Sequence, residues 1–307
     1  MNAALAIAKA TPLAVRRERA LRDQAETLFQ ARVRAAIRGL RDAIQVAPLA
    51  RTLRERGPVA PLPVLPFALF TARLRRELLR TFRDTYESAG DRVAAELKGR
   101  LLGKEVSFRT RVTSWGFDVL NDRGLRYLQE HAADRVVGIA DGTRNAMRTL
   151  IAELYQAGTP PLQQAQRIKA YIGLTEPHAR AVENLRATLV DQGVGAARLE
   201  ALVAKKVRQL TELRALTIAR TESAFASAAA TRESLQQAAD EGLFEPASAR
   251  RVWRTAEDEL ANKCPICGPM DGQESEGLDG TFTTGEGEEI SDAPAHPACR
   301  CVTELVI

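Results

Sequence analysis

The sequence predicts a mainly α-helical protein: a long-helix N-terminal and central region, followed by a small C-terminal α+β domain of zinc-knuckle type. Three observations carry this. Aromatic residues are only 5% of the 307-residue chain, which is rich in Ala, Leu, Arg and Glu, the composition of helices rather than of a sheet. Apolar residues recur at near-helical spacing through most of the first 240 positions. All four cysteines lie beyond residue 263, in Cys264-Pro-Ile-Cys267 and His296-Pro-Ala-Cys299-Arg-Cys301. At 33.6 kDa, with 45% hydrophobic and 27% charged residues, the chain has room for two domains and a sizeable core. No run approaches the ~20 uncharged apolar residues of a membrane span. In the leading MNAALAIAKATPLAVRRER the charges follow the apolar part, the reverse of a secretory signal, so synthesis in the cytoplasm is expected.

Taken in order, residues 11–47 read as a first helix. Leu21, Ala25, Leu28, Ala36, Leu40 and Ile44 form its apolar stripe, and Phe29, Val33 and Ile37 widen it. Its other face is basic. Residues 1–60 hold 12 Lys and Arg against 5 Asp and Glu, so Arg16, Arg17, Arg19, Arg34, Arg38 and Arg41 are either a solvated face or a surface for phosphates or an acidic partner. Four prolines in positions 58–66 predict an extended, semi-rigid linker. A second helix is expected over 70–102, with Leu74, Leu78, Phe82, Tyr86, Val93 and Leu97 on one face. Gly103, Gly116 and Gly124 interrupt the pattern, and the β-branched content of 106–115 permits a short strand against a helical context. Helix resumes at 125–138 and 141–157, stops at Gly158-Thr-Pro-Pro, and returns over 162–171. Thr175, with Pro177 in the first turn, starts another that ends at Gln192-Gly193, and a long helix, broken or continuous, runs from Gly195 to about Ala239. On it Ile218, Glu222, Phe225 and Ala229 share a stripe. A carboxylate there needs a partner, and a structural pairing is preferred over catalysis. Beyond Gly242 the signals change to strand and turn: 250–254 with Trp253 as a strand, 255–262 as a turn, 270–273 as a hairpin signal, 277–287 as a flexible insert anchored by Phe282, and the segment from Cys299 onward as a last strand.

Soft thiolates and an imidazole in paired short motifs make a tetrahedral zinc site. Disulfides and a thioredoxin-like redox pair are the rivals. Pro265 and Gly268-Pro269 disfavour the helix that a redox Cys-x-x-Cys opens, and a turn is expected instead. Five donors are offered where four are needed. Cys264, Cys267, His296 and Cys299 are the first choice and Cys301 the substitute, because Cys299 and Cys301 point to one side of an extended segment.

The run Ala219-Arg220-Thr221-Glu222, then Val252-Trp253-Arg254-Thr255-Ala256, CPICGPMDGQ, the Phe282 insert and PAHPACRC resembles the C-terminal domain of the phage Mu F-like family of minor head, or head morphogenesis, proteins. GLTEPHARAVENLRATL at 173–189 resembles it too, so the likeness covers roughly 140–307; residues 1–130 match no motif. The resemblance implies a virion protein of few copies, inside the head near the portal vertex after assembly in the bacterial cytoplasm. Portal and other head proteins would be its partners, DNA a non-specific one. It marks Arg220, Thr221 and Glu222 as family positions without giving them a role. The expected organisation is a basic helical arm (1–57), the Pro-rich linker (58–66), a helical region (67–138), the helical part of the Mu F-like region (139–242) and a small antiparallel zinc-binding domain (243–307).

A zinc hydrolase or toxin-like enzyme is the competing class, since Glu257, Asp258 and Asp271 lie near the ligands in sequence. A catalytic zinc keeps three protein ligands and an open position, often beside a His-Glu motif; five donors without that motif favour a closed, structural site and no enzymatic activity. A zinc-ribbon nucleic-acid binder needs basic residues around the metal, whereas residues 251–301 hold 4 Lys and Arg against 11 Asp and Glu.

Overall fold

A computed structural model describes residues 12–58, 61–101, 106–256, 258, 261 and 263–306. Nine helices are seen among them: α1 (Leu13–Ala43), α2 (Val46–Arg56), α3 (Pro61–Val64), α4 (Phe67–Leu101), α5 (Val106–Ser114), α6 (Asp122–Gln156), α7 (Pro161–Tyr171), α8 (Glu176–Asp191) and α9 (Ala196–Asp240). Five short strands follow: β1 (Arg250–Arg254), β2 (Glu274–Glu276), β3 (Phe282–Thr283), β4 (Glu289–Ile290) and β5 (Val302–Val306). This is the mainly helical chain with a small C-terminal α+β module that composition and periodicity predict.

Several boundaries differ from the sequence reading, each for a physical reason. The first helix stops at Ala43, and Gln45 adopts an extended conformation before α2 begins. The Pro-rich segment contains the helical turn α3, because proline is compatible with the first turn of a helix, where its missing N–H costs nothing. Residues 106–114 are helix, so the local β-branched content is overridden by packing: Val112 is fully buried in a cluster with Val93, Leu97, Leu235 and Leu278. Gly103 lies outside the described residues, as does Glu257. Helix α6 passes through Gly138 without a break. Thr175 occupies the N-cap position of α8 in extended geometry, but its hydroxyl makes no capping bond. In α1 the buried line runs through Val15, Glu18, Arg22, Ala25, Phe29, Val33, Ala36 and Leu40, whereas Leu28 is exposed. The stripe is therefore rotated, and it takes in two charged residues that an apolar count passes over.

The chain forms two compact units, both discontinuous in sequence. One comprises the described parts of 27–82 and 126–219. In it Phe29 meets Phe82 edge-on at 6.5 Å, and α2 lies along α7. The buried guanidinium of Arg214 donates to Thr143 Oγ1 (2.9 Å), the carbonyls of Gly173 (2.8 Å) and Leu174 (3.1 Å), and Ile139 (2.9 Å), tying α6, the α7–α8 turn and α9 together. Gly173 is required at that turn: its φ is +93°, and a Cβ there would lie 2.4 Å from Ile37 Cγ2.

The other unit comprises the described parts of 1–26, 83–125 and 220–307. It holds the whole strand region. β1 is the central strand of an antiparallel sheet in the order β2-β1-β5, with Trp253 opposite Thr303 and Arg254 opposite Val302; β3 and β4 form a separate hairpin. Trp253 is fully buried and meets Phe282 edge-on at 5.4 Å, so the anchor expected of the insert packs on the one large aromatic of the sheet.

Candidate metal centre

The Cys264-Pro-Ile-Cys267 segment is a turn closed by the Gly268 amide donating to the Cys264 carbonyl (2.9 Å), and Gly268–Met270 then forms a single 3₁₀ turn. No α-helix opens there, because Pro265 and Pro269 cannot supply backbone donors. The β3–β4 hairpin closes over this turn. Gly285 donates to the Ile266 carbonyl at 2.8 Å, and a Cβ at 285 would lie 1.9 Å from the Pro265 carbonyl oxygen, so only glycine permits the approach. The second motif is also a turn, closed by the Cys299 amide on the His296 carbonyl (3.1 Å), with Ala298 at φ 60°. Cys301 follows at the mouth of β5.

These turns bring five donors together. His296 Nε2 lies 3.3 Å from both Cys264 Sγ and Cys267 Sγ. Cys264, Cys267 and His296 form one group with all donor atoms within 4.8 Å of one another, and Cys267, Cys299 and Cys301 form a second; Cys267 belongs to both. His296 Nδ1 is 2.9 Å from the Pro297 carbonyl. A carbonyl can only accept, so Nδ1 carries a proton, and Nε2 is the ring nitrogen that faces the cysteines and that a metal would take. All four thiols are free, and three are buried. Among Cys267, Cys299 and Cys301 the protons are unequally held. The Cys301 thiol hydrogen-bonds Cys299, which drops to about 5, while Cys301 is pushed far up by the same bond and by burial. Burial pushes Cys267 up to about 12. Thiol–imidazole packing of this density suits a soft divalent cation. Trp253, Met270 and Phe282 pack around Cys267, Cys299 and Cys301, giving the cluster an apolar shell on that side.

Helices α1 and α9 carry the residues that grip these turns. Arg22, only 7% exposed, donates to the carbonyls of Cys301 and Ala224 (3.2 Å for the second). Its charge is met by Glu18 at 3.7 Å, which also pairs with Arg92 (3.3 Å) and accepts from Ser227 (3.2 Å). Arg19 donates to the Thr255 carbonyl at 2.5 Å. The three family-like positions on α9 face three ways, as successive residues 100° apart must. Arg220 pairs with Glu26 at 3.0 Å beside a cleft of about 260 Å³ whose wall includes Cys299. Thr221 accepts from the Ala298 amide at 2.9 Å. Glu222 is 4% exposed.

The sequence reading did not find Arg22, Thr221's contact or Arg251. Arg251 is 3% exposed and donates to the carbonyls of Gly277 (3.3 Å), Ser291 (2.7 Å) and Gly280, to Ser275 Oγ (3.2 Å) and to Asp292 Oδ2 (3.3 Å), with its guanidinium 5.4 Å from the Phe282 ring. The available signal was parity: two residues from Trp253 on a strand, Arg251 points to the same side.

Of the arginines assigned to a phosphate or partner surface, Arg16, Arg17 and Arg38 are exposed. Arg19 is occupied as above, Arg34 pairs with Glu212 at 3.0 Å, and Arg41 donates to the Ile172 carbonyl at 3.2 Å. Positive charge is concentrated in the unit built from 27–82 and 126–219, which holds 24 Lys and Arg against 12 Asp and Glu.

A helical scaffold that grips a compact Cys/His cluster, without a helix long and apolar enough to cross a membrane among the described residues, defines a protein whose C-terminal module is built around a cluster that could hold a metal ion. Residues 180–304 match the family described as Phage Mu protein F like protein, and that match supports a phage Mu F-like head morphogenesis protein. The match spans all five donors and the Arg220-Thr221-Glu222 run. The match suggests a phage head-related protein, a family that implies other head proteins as partners. No curated protein and no solved structure matches the chain.

Proposed function

We propose that this is a non-enzymatic minor head protein, present in few copies at the portal vertex inside the head, and that it supports head morphogenesis and DNA packaging or delivery. The observation that carries the reading is the coincidence of the family match with the Cys/His cluster: the matched segment is the one built around the five donors. A structural Zn²⁺ bound by Cys264, Cys267, His296 and Cys299, with Cys301 as the spare thiol, is the cofactor proposed. Cys299 is favoured over Cys301 because it shares one hydrogen-bonded turn with His296, while both sulfurs lie within 4.8 Å of Cys267. The zinc would supply folding energy to a module with little apolar core of its own, and no reacting group.

The experiment is co-purification of the full chain with the portal protein of the same phage, together with elemental analysis of the purified chain. One zinc per chain and a portal complex of defined stoichiometry are expected. A chain that carries no metal yet is fully folded, or that is absent from mature heads, overturns the proposal.

A non-specific DNA contact is proposed for the positively charged unit. Arg32 donates to the Glu77 carbonyl across the α1–α4 seam (3.3 Å), which sets it beside Arg73, Arg76 and Arg80 on one stripe of α4. Glu77 pairs with Arg76 of that group at 3.4 Å. Contact to the phosphate backbone of a duplex is the expected mode for a stripe of guanidiniums. Affinity should then fall with a log–log salt slope of about −0.9 per phosphate neutralised. Binding insensitive to salt, or unchanged in the Arg73→Ala/Arg76→Ala/Arg80→Ala chain, removes it.

A further inference from the structure

We infer that Thr221 is a positioning residue of the metal centre: its hydroxyl holds the His296-Pro-Ala-Cys299 turn in the conformation that presents His296 and Cys299 together. This gives a role to the centre of the Arg220-Thr221-Glu222 run, and it rests on the metal reading proposed above.

The argument starts from the backbone. Ala298 sits at φ 60°, a left-handed conformation that a residue with a Cβ rarely adopts unless its surroundings hold it there. Ala298 lies between the two donors of the turn, so its conformation fixes the angle between the His296 and Cys299 side chains. The turn's own hydrogen bond, Cys299 N–H to the His296 carbonyl, leaves the Ala298 amide over. That amide donates to Thr221 Oγ1 at 2.9 Å, across 77 residues of sequence. Thr221 is 7% exposed, so water competes poorly for the bond. It also sits on a long, regular helix, which is a rigid support for a loop. The neighbouring side chains brace the same arrangement from two more directions: Arg220 is tied to Glu26 of α1, and Arg22 of α1 is bonded to the Cys301 carbonyl. A donor turn held by an outer partner binds its metal more tightly, because less of the ordering is left to the metal itself.

The test uses the full chain and measures Zn²⁺ and Co²⁺ affinity by competition with a chromophoric chelator, with helix content followed by circular dichroism. Thr221→Val keeps the shape and removes the acceptor; it should weaken binding by about 10- to 100-fold, the usual effect of losing an outer partner of a ligand. Thr221→Ser keeps the acceptor and should bind within a few-fold of the unmodified protein. Ala298→Gly makes the left-handed conformation freely available, so in that background Thr221→Val should cost clearly less. Should Thr221→Val alone fail to fold, this doubly substituted chain carries the comparison. Equal affinity in Thr221→Val and the unmodified chain overturns the inference, and so does a Thr221→Ser chain as weak as Thr221→Val, which would mean packing and not the hydrogen bond. An unmodified chain that binds neither metal removes the metal reading itself.

Discussion

Replacing Arg251 by methionine removes five hydrogen-bond donors while leaving a side chain of similar length. Arg251 is 4% exposed at its side chain, and its acceptors come from three different stretches: Ser275 of β2, Gly277 and Gly280 of the insert, and Ser291 with Asp292 before the ligand turn. Breaking a buried ion pair from one side costs about 3–5 kcal/mol, because the remaining charge is left uncompensated. Against a domain stability of about 5–15 kcal/mol this is a large fraction. Asp292 supplies a pH signature. Burial already pushes its carboxyl up from the usual range, and the Arg251 charge and the Thr303 hydroxyl oppose that. With Arg251 gone the carboxyl rises further. A group whose folded pKa lies above its unfolded value near 4 stabilises the fold below that value and loses the contribution as pH rises through the folded pKa. Arg251→Met should therefore be more destabilised at pH 7 than at pH 5, and Arg251→Met/Asp292→Asn should recover part of the loss at pH 7. Urea unfolding in a Trp115→Phe background, followed by Trp253 fluorescence, reads the strand region directly. A loss below about 1 kcal/mol, or no recovery in the double variant, would refute the view of Arg251 as a hub compensated by Asp292.

Other expectations can be measured on the full chain. Cys264→Ser, Cys267→Ser and His296→Ala should lower metal-loaded melting temperature to a similar degree, whereas only one of Cys299→Ser and Cys301→Ser should do so; equal damage from both implies a ligand set of another composition. Chelation should abolish near-ultraviolet signal from Trp253 while sparing most far-ultraviolet helix signal, since the helices of the 27–82 and 126–219 unit contain none of the donors. Gly173→Ala should destabilise by more than Gly193→Ala in thermal unfolding. Both have positive φ, worth about 1–2 kcal/mol for alanine, but only at 173 does the new methyl meet a neighbour, Ile37 at 2.4 Å.

Fold class and the Cys/His cluster were legible because they depend on local pattern. Helical spacing, prolines at turn positions and paired Cys/His motifs constrain the chain within a few residues of themselves, and β1 was placed at its observed residues for the same reason. What resisted reading depends on partners far away in sequence. Nothing near Leu28 says that it is exposed and Phe29 buried; that follows from which helices α1 meets. Val106 to Ser114 reads as a possible strand until Val112 is seen inside a helical cluster. Arg22 looks like one of many basic residues on α1, and only the carbonyl of Cys301, 279 residues later, turns it into an interior group. Thr221 is informative in sequence only as part of a run, and its bond to Ala298 needs a left-handed residue that composition does not reveal.

The unit that contains the metal donors is assembled from three separated lengths of chain, with Arg19 and Arg22 near one end of the sequence and Cys299 and Cys301 near the other. During translation, Arg22 therefore waits for the Cys301 carbonyl until 279 further residues have been made. Until then the charged interior face of α1 is met by Arg92 and Ser227 on Glu18 and by the Ala224 carbonyl on Arg22, and its side toward the ligand turn stays open. Metal capture, coming last, would act as a completion signal: only a chain translated through Cys301 can close the centre. A product that stops short of Cys301 would be left open and exposed to proteolysis.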